Sequence, residues 1–157
     1  MEKVNGILNN KTYREYLNIL KDLEEDRVFC KHNMEHFLDV ARIAYIKVLE
    51  EGLDYSKDII YGTALLHDIG RVLEYKEKIP HHKGSVILSK EILAETDYSK
   101  KDVEIILRAI ENHRGEAQDE LSKIICKSDK LSRNCFNCNS EKDCYWSKEK
   151  KNFIINY

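Results

Sequence analysis

From Thr12 to Leu23 the apolar positions Tyr13, Tyr16, Leu17, Leu20 and Leu23 return every three or four residues, which predicts a helix with one buried face. A second helix is predicted from about Lys31 to Glu50. Phe37, Val40, Ala44 and Val48 form its apolar stripe, while Ala41, Tyr45 and Leu49 widen it, as suits a helix with neighbours on two sides. Gly52 supplies its stop. Ser56 can cap a third helix running through the apolar segment Ile59 to Leu66, and Gly70 would end it just past His67-Asp68. Pro80 opens a fourth segment whose apolar surface comes from Val86, Leu88, Ile92 and Leu93. Ser99 with Asp102 resembles a capping box ahead of a fifth helix, Val103 to His113. A sixth is predicted from about Leu121 to Arg133. No stretch shows convincing strand alternation, so the expected fold class is all-α.

Composition agrees with that reading. The 157 residues suit one domain with a substantial core, and a single proline with six glycines suits helices joined by short turns. The formal net charge of −2, from 26 basic and 28 acidic residues, gives no basic bias toward nucleic acid. The longest apolar runs are too short for a membrane span, and the first residues lack a signal-peptide core. Cytoplasmic residence is therefore expected, and there the five cysteines would serve as thiols or metal ligands rather than disulfides. Beyond Asn134 the composition changes. Cys135, Cys138 and Cys144 cluster with Trp146 ahead of the basic stretch Lys148 to Lys151, dividing the chain into a helical domain (1–134) and a Cys-rich tail (135–157).

Polar residues that interrupt apolar faces carry the candidate chemistry. His67-Asp68 closes a buried segment, where an ionised aspartate is costly unless a cation or hydrogen bonds compensate it. His36 extends the buried side of the second helix, His113 follows Val103, Ile106 and Ile110, and Asp129 follows Leu121 and Ile125. Singly each would read as an ordinary core-edge residue. Together they could converge on a shared metal inside a bundle.

The ordered set His36, His67-Asp68, Asp129 resembles the H…HD…D signature of the HD-domain metal-dependent phosphohydrolases. The contexts His36-Phe-Leu-Asp-Val40-Ala41, Ala64-Leu-Leu-His67-Asp68-Ile69-Gly70-Arg71 and Lys127-Ser-Asp129-Lys-Leu131 are similar to the family's motifs, covering most of the chain from His36 to Leu131. The resemblance implies an HD-like helical bundle holding a divalent transition metal on these four residues. Some branches of the family, including the diadenosine tetraphosphate hydrolases, add two histidines that hold a second ion. Carried over, these are His81 and His113, with Asp68 as the bridge and His82 as an alternative to His81. Histidines and carboxylates suit Fe, Mn, Zn, Co or Ni, one or two ions. Asp68 would orient the nucleophile, and Arg71 and Arg114 could grip substrate phosphate bidentately.

The function implied is hydrolysis of a phosphate ester or anhydride in a small phosphorylated molecule such as a nucleotide. The alternatives are a non-catalytic metal-binding HD module that senses a ligand or binds a protein, and a diiron oxygenase. Two motifs compete. His32-Asn-Met-Glu35-His36 matches the inverted zinc-protease pattern H-x-x-E-H, which leaves the later residues unexplained. Cys135-x2-Cys138-x5-Cys144, with Cys126 or Cys30 as fourth ligand, could hold a structural zinc or an iron–sulfur cluster.

Overall fold

A computed structural model describes residues 1–114 and 119–157. Eight α-helices follow in order among these residues: α1 Glu2–Asn9, α2 Lys11–Leu23, α3 Met34–Glu50, α4 Lys57–Leu66, α5 Arg71–Glu77, α6 His81–Ala94, α7 Lys100–Asn112 and α8 Glu120–Leu131. The described residues contain no strand, as the periodicity requires.

Helix starts are written in short polar side chains. Asn10, Asn33, Ser56, Ser99 and Asp119 each accept a hydrogen bond from a backbone N–H three residues on. Gly52 ends α3 with φ +64°, and Leu53 N–H closes back on the Val48 carbonyl at 3.0 Å.

Several boundaries differ from the sequence expectation. Helix α3 begins at Met34 rather than Lys31, because the Asn33 carboxamide accepts from His36 N–H and leaves His32 in an extended lead-in. Helix α4 ends at Leu66, not at Gly70, which instead starts the unanticipated short helix α5. The N-terminal α1 was also unanticipated: only Val4 and Ile7 are buried on it, too few to show a period. Helix α8 stops at Leu131 rather than Arg133.

The core lies around α3 and α4. Helix α3 packs against α4 on one side and α8 on the other, which accounts for its broad stripe. Helix α4 is also flanked by α1 and α7, so Ile59, Ile60, Ala64, Leu65 and Leu66 are all buried. Each such isoleucine or leucine side chain contributes about 1.5–3 kcal/mol by leaving water. Phe37 is wholly buried and sets its ring 5.7 Å from that of His36 and 5.6 Å from that of His67, so apolar packing positions the polar centre.

The tail forms two 3-10 turns, Cys135–Asn137 and Lys148–Lys150. Asn152 fastens it to the end of α8, donating to the carbonyls of Lys130 (2.6 Å) and Arg133 (3.0 Å) and accepting from Phe136 N–H. Ser140 donates to the Val28 carbonyl, which brings the tail beside the segment leading into α3. Among the described residues no helix is long and apolar enough to cross a membrane.

Candidate metal centre

Two helices end on a histidine that folds back on its own last turn. His67 follows α4 and places Nδ1 2.7 Å from the Ala64 carbonyl, and His113 follows α7 with Nδ1 2.5 Å from the Ile110 carbonyl. His81 opens α6 with Nδ1 3.1 Å from Glu74 Oε1, and His32 sets Nδ1 2.6 Å from Glu24 Oε1. His36, in the first turn of α3, has Nδ1 3.0 Å from Ser132 Oγ, whose own proton goes to the Asp129 carbonyl. In every case the outer nitrogen faces an acceptor. The proton is therefore assigned to Nδ1, and Nε2 carries the lone pair that points inward.

The inward atoms converge on two carboxylates. Asp129 Oδ1 lies 3.2 Å from His36 Nε2 and 3.9 Å from His67 Nε2. Asp68 divides its oxygens: Oδ2 lies 3.5 Å from both His67 Nε2 and His32 Nε2, while Oδ1 lies 3.5 Å from His81 Nε2 and 3.8 Å from His113 Nε2. Two groups of donor atoms, each within 4.8 Å of one another, result: His36, His67, Asp68 and Asp129, then Asp68, His81 and His113.

This arrangement fits divalent cations. The inward Nε2 atoms of His67, His81 and His113 face carboxylate oxygens, and His67 Nε2 and Asp68 Oδ1 are buried without any hydrogen-bond partner; at His36 the Arg133 guanidinium donates to Nε2 at 3.0 Å and would have to give way to an ion. Burial pushes His36 and His81 down to about 4, so both rings are neutral near pH 7 and ready to ligate. Burial acts to raise the Asp68 carboxyl, but His67, His113 and Arg71 outweigh it and hold the group well below the usual carboxylate range. Asp129, likewise opposed by burial, is held well down by its close approach to His36 and His67.

The sequence-selected residues distribute as follows. His36, His67, Asp68, Asp129, His81 and His113 all meet at the centre; His82, the alternative to His81, does not join either group. Arg71 lies with Nε 3.4 Å from Asp68 Oδ2 and one terminal nitrogen 3.1 Å from Glu74 Oε2, placing it between the carboxylate common to both groups and the partner of His81. Arg114 is exposed on a cavity of about 660 Å³ that it shares with His113 and Asp129. The protease pattern does not assemble: Glu35 is exposed, and His32 and His36 address different aspartates. Cys126 opens on that larger cavity, whereas Cys30 shares a separate one with Cys135, Cys138 and Cys144.

Glu24, Glu74, Ser132 and Arg133 escaped the sequence reading. The first three fix histidine Nδ1 atoms, and Arg133 donates to His36 Nε2 at 3.0 Å. Their links to the histidines run across turns or across the whole chain, so no local spacing reveals them. His32, singled out in the sequence as the first histidine of H-x-x-E-H, does reach the centre, with Nε2 3.5 Å from Asp68 Oδ2.

An HD domain family model matches residues 33–134, and the chain belongs to the HD-domain superfamily, whose members are generally metal-dependent hydrolases. It is also 48% identical, over the full length of both chains, to an uncharacterised protein of Clostridium beijerinckii. No solved structure matches it.

Proposed function

We propose that this protein is a metal-dependent phosphohydrolase that cleaves a phosphate ester or anhydride of a small molecule, and that the molecule is a nucleotide. The observation carrying this reading is the division of Asp68: one oxygen faces His67, the other faces His81 and His113. A carboxylate so placed can bridge two ions. When bound, divalent Fe, Mn, Co, Ni or Zn supplies Lewis-acid charge and a water of lowered pKa.

The chain's own residues supply the rest. His36, His67 and Asp129 would hold one ion, and His81 with His113 the other. Arg71 orients Asp68 by drawing on its Oδ2. His113 and Asp129 line the larger cavity, and Arg114, Lys127 and Lys130 share its wall, placing cationic groups where phosphate oxygens would lie. Tyr145 and Trp146 line it too and offer apolar faces on which a base can stack.

The test is a panel of nucleotides and simple phosphate esters assayed with the full chain loaded with Mn, Fe, Co or Ni. Metal-dependent turnover, strongest on nucleotides and abolished by Asp68→Ala, is expected. Full metal occupancy with no turnover on any phosphate compound would overturn the enzymatic reading in favour of a metal-binding module.

A further inference from the structure

His36 also lines a separate cavity, of about 270 Å³, that the phosphohydrolase reading does not use. Cys30, from the segment before α3, faces into it with Cys135, Cys138 and Cys144 of the tail. All four are free thiols, drawn together from positions more than a hundred residues apart in sequence. Among the described residues their sulfurs form no group of three within 4.8 Å. A single tetrahedral zinc, with bonds of about 2.3 Å, would require sulfurs only about 3.8 Å apart. The four thiols instead line one cavity of about 270 Å³, which leaves room for a polynuclear centre.

Charge and shielding agree. The cavity wall carries the cations Lys31, Arg133 and Lys151 and the carboxylates Glu35, Asp39 and Glu141; with Lys151 paired to Glu141, Arg133 is the cation placed to offset the negative charge that four thiolates would bring. Arg133 is held by the Lys31 carbonyl at 3.0 Å and Lys151 by Glu141 at 2.8 Å, so these charges are fixed in place. Cys135 is buried and the other three are half-buried, with Trp146 on the cavity wall.

We propose that Cys30, Cys135, Cys138 and Cys144 ligate a four-iron, four-sulfide cluster in this cavity. It would join the tail to the lead-in of α3, which carries His32 and His36. Trp146 lines both this cavity and the proposed substrate cavity, so the cluster would also hold the tail wall of that cleft in position. Cys126 takes no part.

Anaerobically purified full chain tests this through iron, zinc, acid-labile sulfide and visible absorption. Wild type and Cys126→Ser are expected to hold about four sulfides per chain, with a broad absorption that dithionite bleaches. Asp68→Ala should keep the sulfide, since iron at the histidine centre carries none. Cys30→Ser and Cys138→Ser should each lose the sulfide and the colour. Should those variants fail to fold by circular dichroism, alkylation of the native wild type decides: Cys126 alone should react until acid releases the sulfide. A colourless chain with zinc in place of sulfide overturns the proposal, as do four freely reacting thiols.

Discussion

Gly70 and Gly84 meet backbone to backbone. A Cβ on Gly84 would lie 2.7 Å from the Gly70 carbonyl oxygen, and one on Gly70 would lie 1.9 Å from the Ser85 amide nitrogen and 2.3 Å from the His81 carbonyl oxygen. Ser85 Oγ closes the contact by accepting from Gly70 N–H at 2.9 Å. Helix α6 therefore crosses the turn after Asp68 at a distance only glycine permits, and that crossing delivers His81 Nε2 to Asp68 Oδ1. Gly70→Ala is expected to cost about 3 kcal/mol, the upper range for overpacking, and to loosen the second metal group. Gly52→Ala supplies the contrast: φ is +64° but nothing lies within 4 Å, so the backbone alone costs about 1 kcal/mol and metal content stays unchanged. Urea melts paired with metal analysis separate the two, and equal metal content in both variants would refute the role given to the crossing.

Metal stoichiometry, counted over and above any iron that accompanies acid-labile sulfide, should dissect the histidine centre by residue. His113→Ala removes a ligand of the second group only, and is expected to leave one ion per chain. Asp129→Ala should remove the first ion. Asp68→Ala, which takes the shared carboxylate from both groups, should leave neither. Metal analysis after dialysis, with circular dichroism to confirm the fold, reads this directly. One ion per chain in fully loaded wild type would contradict a binuclear centre.

Much of this centre was legible in the sequence because several candidate ligands sit beside a local signal. His36 extends the apolar side of its helix, His67-Asp68 closes an apolar run and Asp129 lies on the periodic face of α8, whereas the roles of His81 and His113 came from the family resemblance. The fold class was legible for the same reason. Helices α1 and α5 were not, since two or three apolar residues cannot establish a period and Gly70 reads as a stop. Nor was the fourth cysteine, because Cys30 and Cys126 are equivalent in a one-dimensional reading. Only the fold sends one to the sulfur cavity and the other to the cleft. The outer partners of the histidines are long-range: Ser132 reaches His36 across 96 positions.

Tyr145 tests the proposed substrate, for it lines the larger cavity and not the smaller. Base stacking on an aromatic side chain is worth about 1–3 kcal/mol. Tyr145→Ala should therefore raise KM for a nucleotide about tenfold while leaving kcat, and the KM of a simple alkyl phosphate, nearly unchanged. An equal rise for both substrates would show that the cavity does not recognise a base.

Glu24 gives the pH dependence. Its Oε2 accepts from His32 N–H at 2.7 Å, and its Oε1 faces His32 Nδ1 at 2.6 Å and the Tyr75 hydroxyl at 2.8 Å. Burial acts to raise its pKa, but the bonds from His32 and Tyr75 outweigh it and hold the carboxyl at about 2, below the ordinary 4.5. A carboxylate depressed in the folded state stabilises fully above its unfolded pKa and loses that contribution as pH falls toward the folded one. In metal-free protein, wild type is thus expected to exceed Glu24→Gln in stability by about 2 kcal/mol near pH 7, as for a buried charged hydrogen bond. The gap should narrow steadily between about pH 4.5 and 2. Asp68 and Asp129 also titrate in acid, but they are common to both proteins and cancel in the difference. Urea unfolding across pH 2 to 7 in the presence of chelator measures it. A gap that stays constant throughout would mean that Glu24 holds His32 by shape rather than by charge.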